Sequence, residues 1–298
     1  MSVITPSLNS GRFLKECLAS VAAQTYPNVE HIVVDGESTD DTPVLLARHA
    51  RQRLRVIVRR DRSMYEAINN GLAAAKGEIL ACLNADDFYF PDGVDYVVRF
   101  MQANPTADIV YGDQLSLFVP TESFDIGYCP AEGADPWGRT LVYISQPAVF
   151  LRKRAIEKIG LFDAGQRAAA DFDYWMRAYL AGATFKKFRR VVVAVRMHGA
   201  NLSLGDAWQR EHAELKERYL QDRHSGFWDA VRLARRRVLL NRLTFPLFMR
   251  GVAREHVSFS VFSYFAYLAS GRRREAPILS IRLPFFRYSA HRALCIET

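Results

Sequence analysis

The chain has 298 residues, 49% of them hydrophobic and 12% aromatic, which excludes a disordered polypeptide and fits one large α/β domain or one domain with an appendage. Its formal charge of +8 is unevenly placed: residues 232–298 hold thirteen Arg, no Lys and three acids, a net of +10, and the first 231 residues stand at −2. Basic character therefore belongs to the tail, and the main body is excluded as an electrostatic nucleic-acid binder.

Met1 leads straight into the strand-like SVITPS, without a basic and then apolar leader, so no secretory signal is expected. SVITPS is expected to be broken at Pro6. Phe13, Leu14, Cys17, Leu18 and Val21 recur at helical spacing and predict an amphipathic helix over 11–24. A strand over 30–34, a helix over 41–50 and a strand over 54–58 follow. The next helix, 64–75, carries a weakening Gly71 and is closed by Gly77 as a C-cap. A strand over 78–83 ends in Asn84-Ala85-Asp86-Asp87, and Pro91 starts a helix over 91–103. Further strands are predicted over 108–111, 115–119, 142–151 and 185–195, with helices over 172–180 and 207–222. This alternation predicts a mostly parallel sheet covered by helices. Cys17, Cys82, Cys129 and Cys295 are scattered and form no CxxC pair, so neither a zinc knuckle nor a disulfide framework is expected. A reducing cytoplasm is the expected compartment.

Ligands of open α/β sheets bind beyond the carboxyl ends of the strands. Four polar clusters fall at such ends: Thr5-Pro6-Ser7 with Asn9, Asp35 to Asp41, Arg60 to Ser63, and Asn84 with Asp86 and Asp87. Each has a plain alternative. DGESTDDT makes a good turn and helix cap, and Thr5-Pro6 can simply end a strand. Two adjacent carboxylates at the end of an apolar strand repel each other, and a divalent cation would compensate them. Mg²⁺ and Mn²⁺ take one or two protein carboxylates and complete their shell with substrate phosphates, so a nucleoside diphosphate fits. No GxxxxGK[ST] loop and no GxGxxG follow the first strand, which removes the P-loop and dinucleotide-binding readings.

In order and spacing the stretches VITPSLNSGRFLKECLASVAAQTYPNVEHIVVDGESTDDT, DRSMYEAINNGLAAAKGEILACLNADDFYFPDGV, DIVYGD, QPAVFLRK and GLFDAGQRAAADFDYWMR resemble family 2 glycosyltransferases over roughly residues 2–200. The resemblance implies a GT-A nucleotide-diphospho-sugar transferase fold in residues 1–225, with 226–298 as a basic, amphipathic, mostly helical appendage. It implies an inverting, metal-dependent enzyme. The donor would be a nucleotide-diphosphate sugar and the acceptor a saccharide or a lipid-linked hydroxyl, in bacterial polysaccharide or glycolipid assembly. Asp35 then matches the acid that bonds the base, with Thr5 and Pro6 lining the base pocket, and Asp61 and Asn69 border the nucleotide. Asp86 and Asp87 match the Asp-x-Asp site for Mn²⁺ or Mg²⁺, although Asn84 stands at its first acidic position. Asp87 is assigned to the metal and Asp86 to the ribose or a second metal contact.

By the same resemblance Asp171 is the catalytic base, preceded here by Ala170 where relatives carry Glu; Asp173 is its rival, and a helix cap is the plain reading of either. His198 matches a phosphate- or metal-contacting histidine, or is a surface residue after a strand. Gln146 faces the acceptor or ends a strand, and Trp175 reads as core. Two other classes compete: a non-catalytic nucleotide-sugar-binding protein on the same fold, and a nucleotidyltransferase, whose basic Gly-rich loop TPSLNSGRF lacks. In the tail, arginines flank apolar runs too short to span a bilayer, which points to peripheral contact with an anionic membrane surface ahead of a solvated basic face packed on the main domain or an oligomer contact.

Overall fold

The structure is a computed structural model and describes residues 1–49, 53–121, 123–127, 129, 144–220, 287–289 and 292–297. Its spine is β1 (Ser2–Ser7), paired in parallel with β2 (Glu30–Asp35) on one side and β4 (Ile79–Cys82) on the other. β3 (Leu54–Val58) continues the sheet beyond β2, also parallel. Beyond β4 lie β9 (Val149–Arg152), antiparallel to both its neighbours, then β6 (Ile109–Tyr111) and β10 (Phe185–Lys187). The seven-stranded order is β10-β6-β9-β4-β1-β2-β3. A second sheet joins β5 (Phe88–Tyr89), β11 (Val193–Met197), β7 (Gln114–Phe118) and β8 (Ser123–Gly127) in that order.

Helices cover both faces of the large sheet, as near-continuous apolar strands require. On one face α1 (Gly11–Ala22) and α4 (Gly93–Ala103) bury Cys17, Val21, Val94, Val97 and Met101 against Val3, Phe150 and Phe188. On the other, α3 (Met64–Ala74), α5 (Lys153–Ile159), α6 (Ala170–Leu180) and α7 (Asp206–Leu220) enclose a core that holds Ile4, Tyr65, Ile68, Tyr174, Trp175 and Leu215. α2 (Thr42–His49) packs Leu46 with Leu14, Leu18 and Val33. Trp208, Leu215 and Tyr219 of α7 all meet the core beneath α3, α5 and α6.

Several local expectations change. Pro6 does not break β1. Leu83 N–H donates to the Ile4 carbonyl, so even-numbered residues of β1 face β4, and β4 has ended before it reaches Pro6. The missing N–H therefore removes no ladder bond. Gly77 is not the helix cap: α3 ends at Ala74, and the Gly77 N–H donates to Ser2 Oγ at 2.8 Å and to Glu30 Oε1 at 3.1 Å. A Cβ at Gly77 would lie 2.6 Å from Ser2 N. Pro147 turns the front of the predicted 142–151 strand into a 3₁₀ turn (Gln146–Ala148), and 142–143 lie outside the described residues. The run 185–195 divides into β10 and β11, which belong to different sheets. α4 starts at Gly93, not at Pro91, and β5 and α5 are additional.

Gly71 is a packing requirement, because a Cβ there would sit 2.3 Å from Ile4 Cγ2 where α3 crosses β1. Gly71→Ala is expected to destabilise the protein by ~1–3 kcal/mol through overpacking, lowering the thermal midpoint by several degrees. An unchanged midpoint would contradict this packing.

The 225/226 boundary falls outside the described residues. Of the tail, Arg287–Ser289 and Arg292–Glu297 are described, paired as antiparallel strands. The helical reading of the rest of the tail falls outside the described residues. Among these, no helix is long and apolar enough to cross a membrane.

Candidate active site

Parallel pairing of β1 to β4 delivers the four polar strand ends to one edge. The loops after β1 and β2 are zipped together there. Gly36 N–H donates to the Ser7 carbonyl at 2.8 Å, Asn9 N–H to Ser38 Oγ at 2.8 Å, and Thr39 N–H to Asn9 Oδ1 at 2.9 Å. Ser10 N–H meets Thr42 Oγ1 and Gly11 N–H meets Asp40 Oδ2, each at 2.9 Å. Asn9 takes a left-handed φ of 50° to make the turn, a conformation Asn tolerates better than most residues. Much of DGESTDDT is therefore a cap and a loop lock. Asp35 is buried, and its carboxylate accepts from Ser38 N–H at 3.1 Å and Ser38 Oγ–H at 2.5 Å. Thr5 is buried on the other side of its strand end, with Oγ1 2.8 Å from His31 Nε2. Burial drives the His31 pKa down to about 3, so that ring is neutral. Pro6 is buried on the opposite face of β1.

Asp61 follows β3. Its Oδ1 accepts from Arg59 Nε at 3.0 Å and from Asn70 Nδ2 at 2.7 Å, and its buried Oδ2 has no hydrogen-bond partner among the described residues. Burial raises its pKa. Asn69 is turned away from Asp61. Its Nδ2 donates to the Phe162 carbonyl at 2.8 Å, and its Oδ1 accepts the Phe162 N–H at 3.0 Å. The Asn70 amide, which sequence reasoning passed over, is the one that reaches the acid.

Asp86 and Asp87, adjacent in sequence, face different surroundings. Asp87 is 1% exposed; its Oδ1 accepts the Arg196 N–H at 2.9 Å and its Oδ2 accepts from Asn84 Nδ2 at 3.2 Å. Burial, and then the charge of Asp86, push its carboxyl well above the usual range. The Asp86 side chain is 27% exposed, with Oδ2 2.9 Å from His198 Nε2. Asn201 Nδ2 approaches the same oxygen at 3.4 Å.

A buried arginine lies close to this pair without bonding either carboxylate through its guanidinium. Arg196 arrives on β11, with its side chain only 4% exposed. It donates Nη1 to the Asp86 carbonyl at 2.7 Å and pairs Nη2 with Glu16 at 3.0 Å. Its guanidinium lies over Phe13 at 5.1 Å and Phe88 at 4.8 Å, geometry that suits its weak hydration. Sequence reasoning missed Arg196. Its one signal was its place two residues before His198.

Asp171 occupies the first turn of α6, where the helix dipole favours an anion. Burial nevertheless raises its pKa to about 6, partly offset by the Phe172 N–H, which donates to Oδ1 at 2.9 Å, and by the Tyr65 phenol. Tyr65 stands in the first helix turn after Asp61, so α3 connects the two acids. The rival Asp173 is buried and fully engaged: Arg177 Nε donates to Oδ2 at 2.7 Å and Tyr219 Oη to Oδ1 at 2.8 Å. Gln146 is buried, with Nε2 donating to the Cys82 carbonyl at 3.2 Å. Trp175 is core, and its Nε1–H donates to the Ile144 carbonyl at 3.1 Å.

A mixed sheet with polar residues at its strand ends is the architecture of the GT-A nucleotide-sugar transferases. S. aureus TarS (residues 1–349, with UDP-GlcNAc) superposes with a TM-score of 0.57 over 91% of this chain and 87% of its own, at 20% identity. The mannosyltransferase PcManGT from Pyrobaculum calidifontis, in complex with GDP-Man and Mn²⁺, does so with a TM-score of 0.55 over 72% and 60%, at 22% identity. Residues 2–160 match the profile of "Glycosyl transferase family 2". A PGL/p-HBAD biosynthesis glycosyltransferase of Mycobacterium tuberculosis is 33% identical over 199 residues, 65% of this chain and 75% of that protein. The chain belongs to glycosyl transferase family 2, and the protein is a glycosyltransferase.

Proposed function

We propose that the protein moves a sugar from a nucleoside diphosphate to an acceptor hydroxyl with inversion at the anomeric carbon. Asp171 is the general base, and Asp86 with His198 is the metal-facing pair. The observation that carries the reading is the division of labour among the acids. Asp87 is sealed in with both oxygens bonded, Asp86 is turned outward against His198, and Asp171 sits where its pKa is raised to about 6. Carboxylates held in such different surroundings take separate roles.

The outward pair fits Mn²⁺ or Mg²⁺: one carboxylate oxygen and one imidazole nitrogen leave most of the coordination shell to diphosphate oxygens and water. Among the described residues no cluster of three metal-binding side chains exists, so the ion depends on the donor for completion. When bound, the cation neutralises the charge of the leaving diphosphate. This reassigns the metal contact from Asp87 to Asp86, and gives Asp87 the task of fixing β11 behind it. The buried Asp61 Oδ2, with no bonding partner among the described residues, is suited to accept a donor from the nucleotide, and Asp35, held by Ser38, to face the base. Thr5 and Pro6 line the base pocket at the end of β1, and Asn69 acts through the Phe162 backbone. Asp171 accepts the proton of the attacking hydroxyl, a contribution of order 10²–10⁴ in rate. The acceptor is a saccharide or lipid-linked hydroxyl, and the arginine-rich residues 232–298 hold the enzyme to anionic lipid.

Thermal unfolding with UDP or GDP, with and without Mn²⁺, tests the metal assignment. Ligand at a hundred times its dissociation constant stabilises by about 2.7 kcal/mol. Asp86→Ala and His198→Ala are expected to abolish the Mn²⁺-dependent increment. Asp87→Asn, which removes a carboxyl already pushed well above its usual range by burial, is expected to keep it. The reverse pattern returns the metal to Asp87.

A further inference from the structure

α7 holds the base-bearing helix through a device that the reaction above leaves unused. The Glu211 carboxylate accepts three consecutive backbone N–H groups: Arg167 on Oε1 at 2.8 Å, and Ala168 and Ala169 on Oε2 at 2.8 and 3.0 Å. Ala169 is the N-cap residue of α6 and offers no side-chain cap, and Ala168 and Ala170 beside it offer none either. The first N–H groups of a helix have no partners within it, and a carboxylate at that end is favoured by the dipole as well. Of the three, the Ala169 N–H is the one that belongs to the helix's unpaired first set; the other two tie the loop before α6 to a residue forty positions downstream.

The arrangement reaches Asp171 through two residues of backbone. Asp171 is two residues beyond Ala169, and its Oδ1 accepts the N–H of Phe172, so its aim follows the backbone of that first turn. The other end of the same loop is pinned from α3: Ser63 Oγ–H donates to the Ala164 carbonyl at 2.9 Å, and Asn69 brackets Phe162. α7 adds Tyr219 on Asp173 and the His212 ring 5.1 Å from Phe172. Glu211 is the member of this set that bonds the backbone next to the base.

We propose that Glu211 is a positioning residue for Asp171, holding the first turn of α6 so that the carboxylate meets the acceptor hydroxyl. The proposal rests on the reading of Asp171 as base. Glu211→Ala, Glu211→Gln, Asp171→Asn and the double variant Asp171→Asn/Glu211→Ala test it in the full chain. The assay is nucleotide release from whichever donor the wild type turns over fastest in a panel of UDP-, GDP- and dTDP-linked sugars. Misplacing a catalytic group by about 1 Å costs of order 100-fold, so kcat of Glu211→Ala is expected to fall ~10–100-fold. Donor KM and nucleoside diphosphate affinity are expected to stay within about twofold, because the latch touches neither. Glu211→Gln keeps the shape and one acceptor oxygen; it is expected to lose less, and carries the test if the alanine variant does not fold. In the Asp171→Asn background, Glu211→Ala is expected to add no more than about a twofold loss, the non-additivity of residues acting as a unit. A kcat within twofold of wild type for both Glu211 variants overturns the positioning role, as does a loss of equal size with and without Asp171. Normal turnover by Asp171→Asn instead overturns the base reading itself.

Discussion

Asp171→Asn is expected to cut transfer by ~10²–10⁴-fold while leaving nucleotide binding unchanged and making the protein more stable at pH 7. The kinetic half follows from the proton it would accept. The stability half follows from its environment. Burial lifts the Asp171 pKa to about 6, above its ordinary value of about 3.9, so the folded state holds this proton more tightly than the unfolded chain does. The benefit of the bound proton is fully present below the unfolded pKa. It is lost as pH rises through about 6, and above that the folded protein carries a buried charge at a cost of about 1–3 kcal/mol. An amide carries no such charge. The variant's gain is therefore expected above pH 6 and should vanish below pH 4, which thermal melts across that range would show. The same pKa predicts that wild-type kcat/KM falls below about pH 6 as the base is protonated. A flat profile from pH 5 to 8 would contradict the assignment.

Arg196→Met is expected to have the largest effect on folding. The guanidinium is buried between two phenyl rings and faces Glu16, the Asp86 carbonyl and the buried Asp87. Removing one partner from a buried ionic cluster typically costs ~3–5 kcal/mol, because the remaining charges stay behind without compensation. Met fills the apolar slot but supplies no charge. Glu16 and Asp87 already have raised pKa values with Arg196 present, and its loss raises them further. The defect is therefore expected to be greatest at neutral and higher pH and to shrink as acid neutralises both carboxyls. Chemical denaturation at pH 5 and pH 8 measures the difference; an equal loss at both would contradict the electrostatic account. Arg196→Lys retains the charge without the planar fork and is expected to lie between.

The alternation of strands and helices through residue 111 was legible because each helix buries one stripe and each strand is flanked by turn residues. Leu14, Cys17, Leu18 and Val21 are all buried where spacing placed them. The second half was less legible, since its strands gain identity only by pairing. β9 is a four-residue strand that is antiparallel between β4 and β6, and β11 crosses to another sheet. At the site, residue types and strand ends were readable but orientations were not. Which of two neighbouring aspartates points outward depends on the turn that bonds Asp87 N–H to the Asn84 carbonyl and on β11, about 110 residues away. The electrostatic fault at Asp86-Asp87 is only partly offset inside the fold: Arg196 opposes the rise of the Asp87 pKa without cancelling it. Arg196 lay in a strand with no local mark of that task, as did Glu211 in a helix rich in charges.

A crystal structure of the protein with Mn²⁺ and whichever of UDP and GDP raises its melting temperature more tests the account most directly. The ion is expected against Asp86 and His198, the base beside Asp35, a nucleotide donor on Asp61 Oδ2, and the Asp171 carboxylate facing the vacant side of the diphosphate. An ion held by Asp87, a nucleotide bound away from the ends of β1 to β4, or no binding of either nucleotide would contradict it.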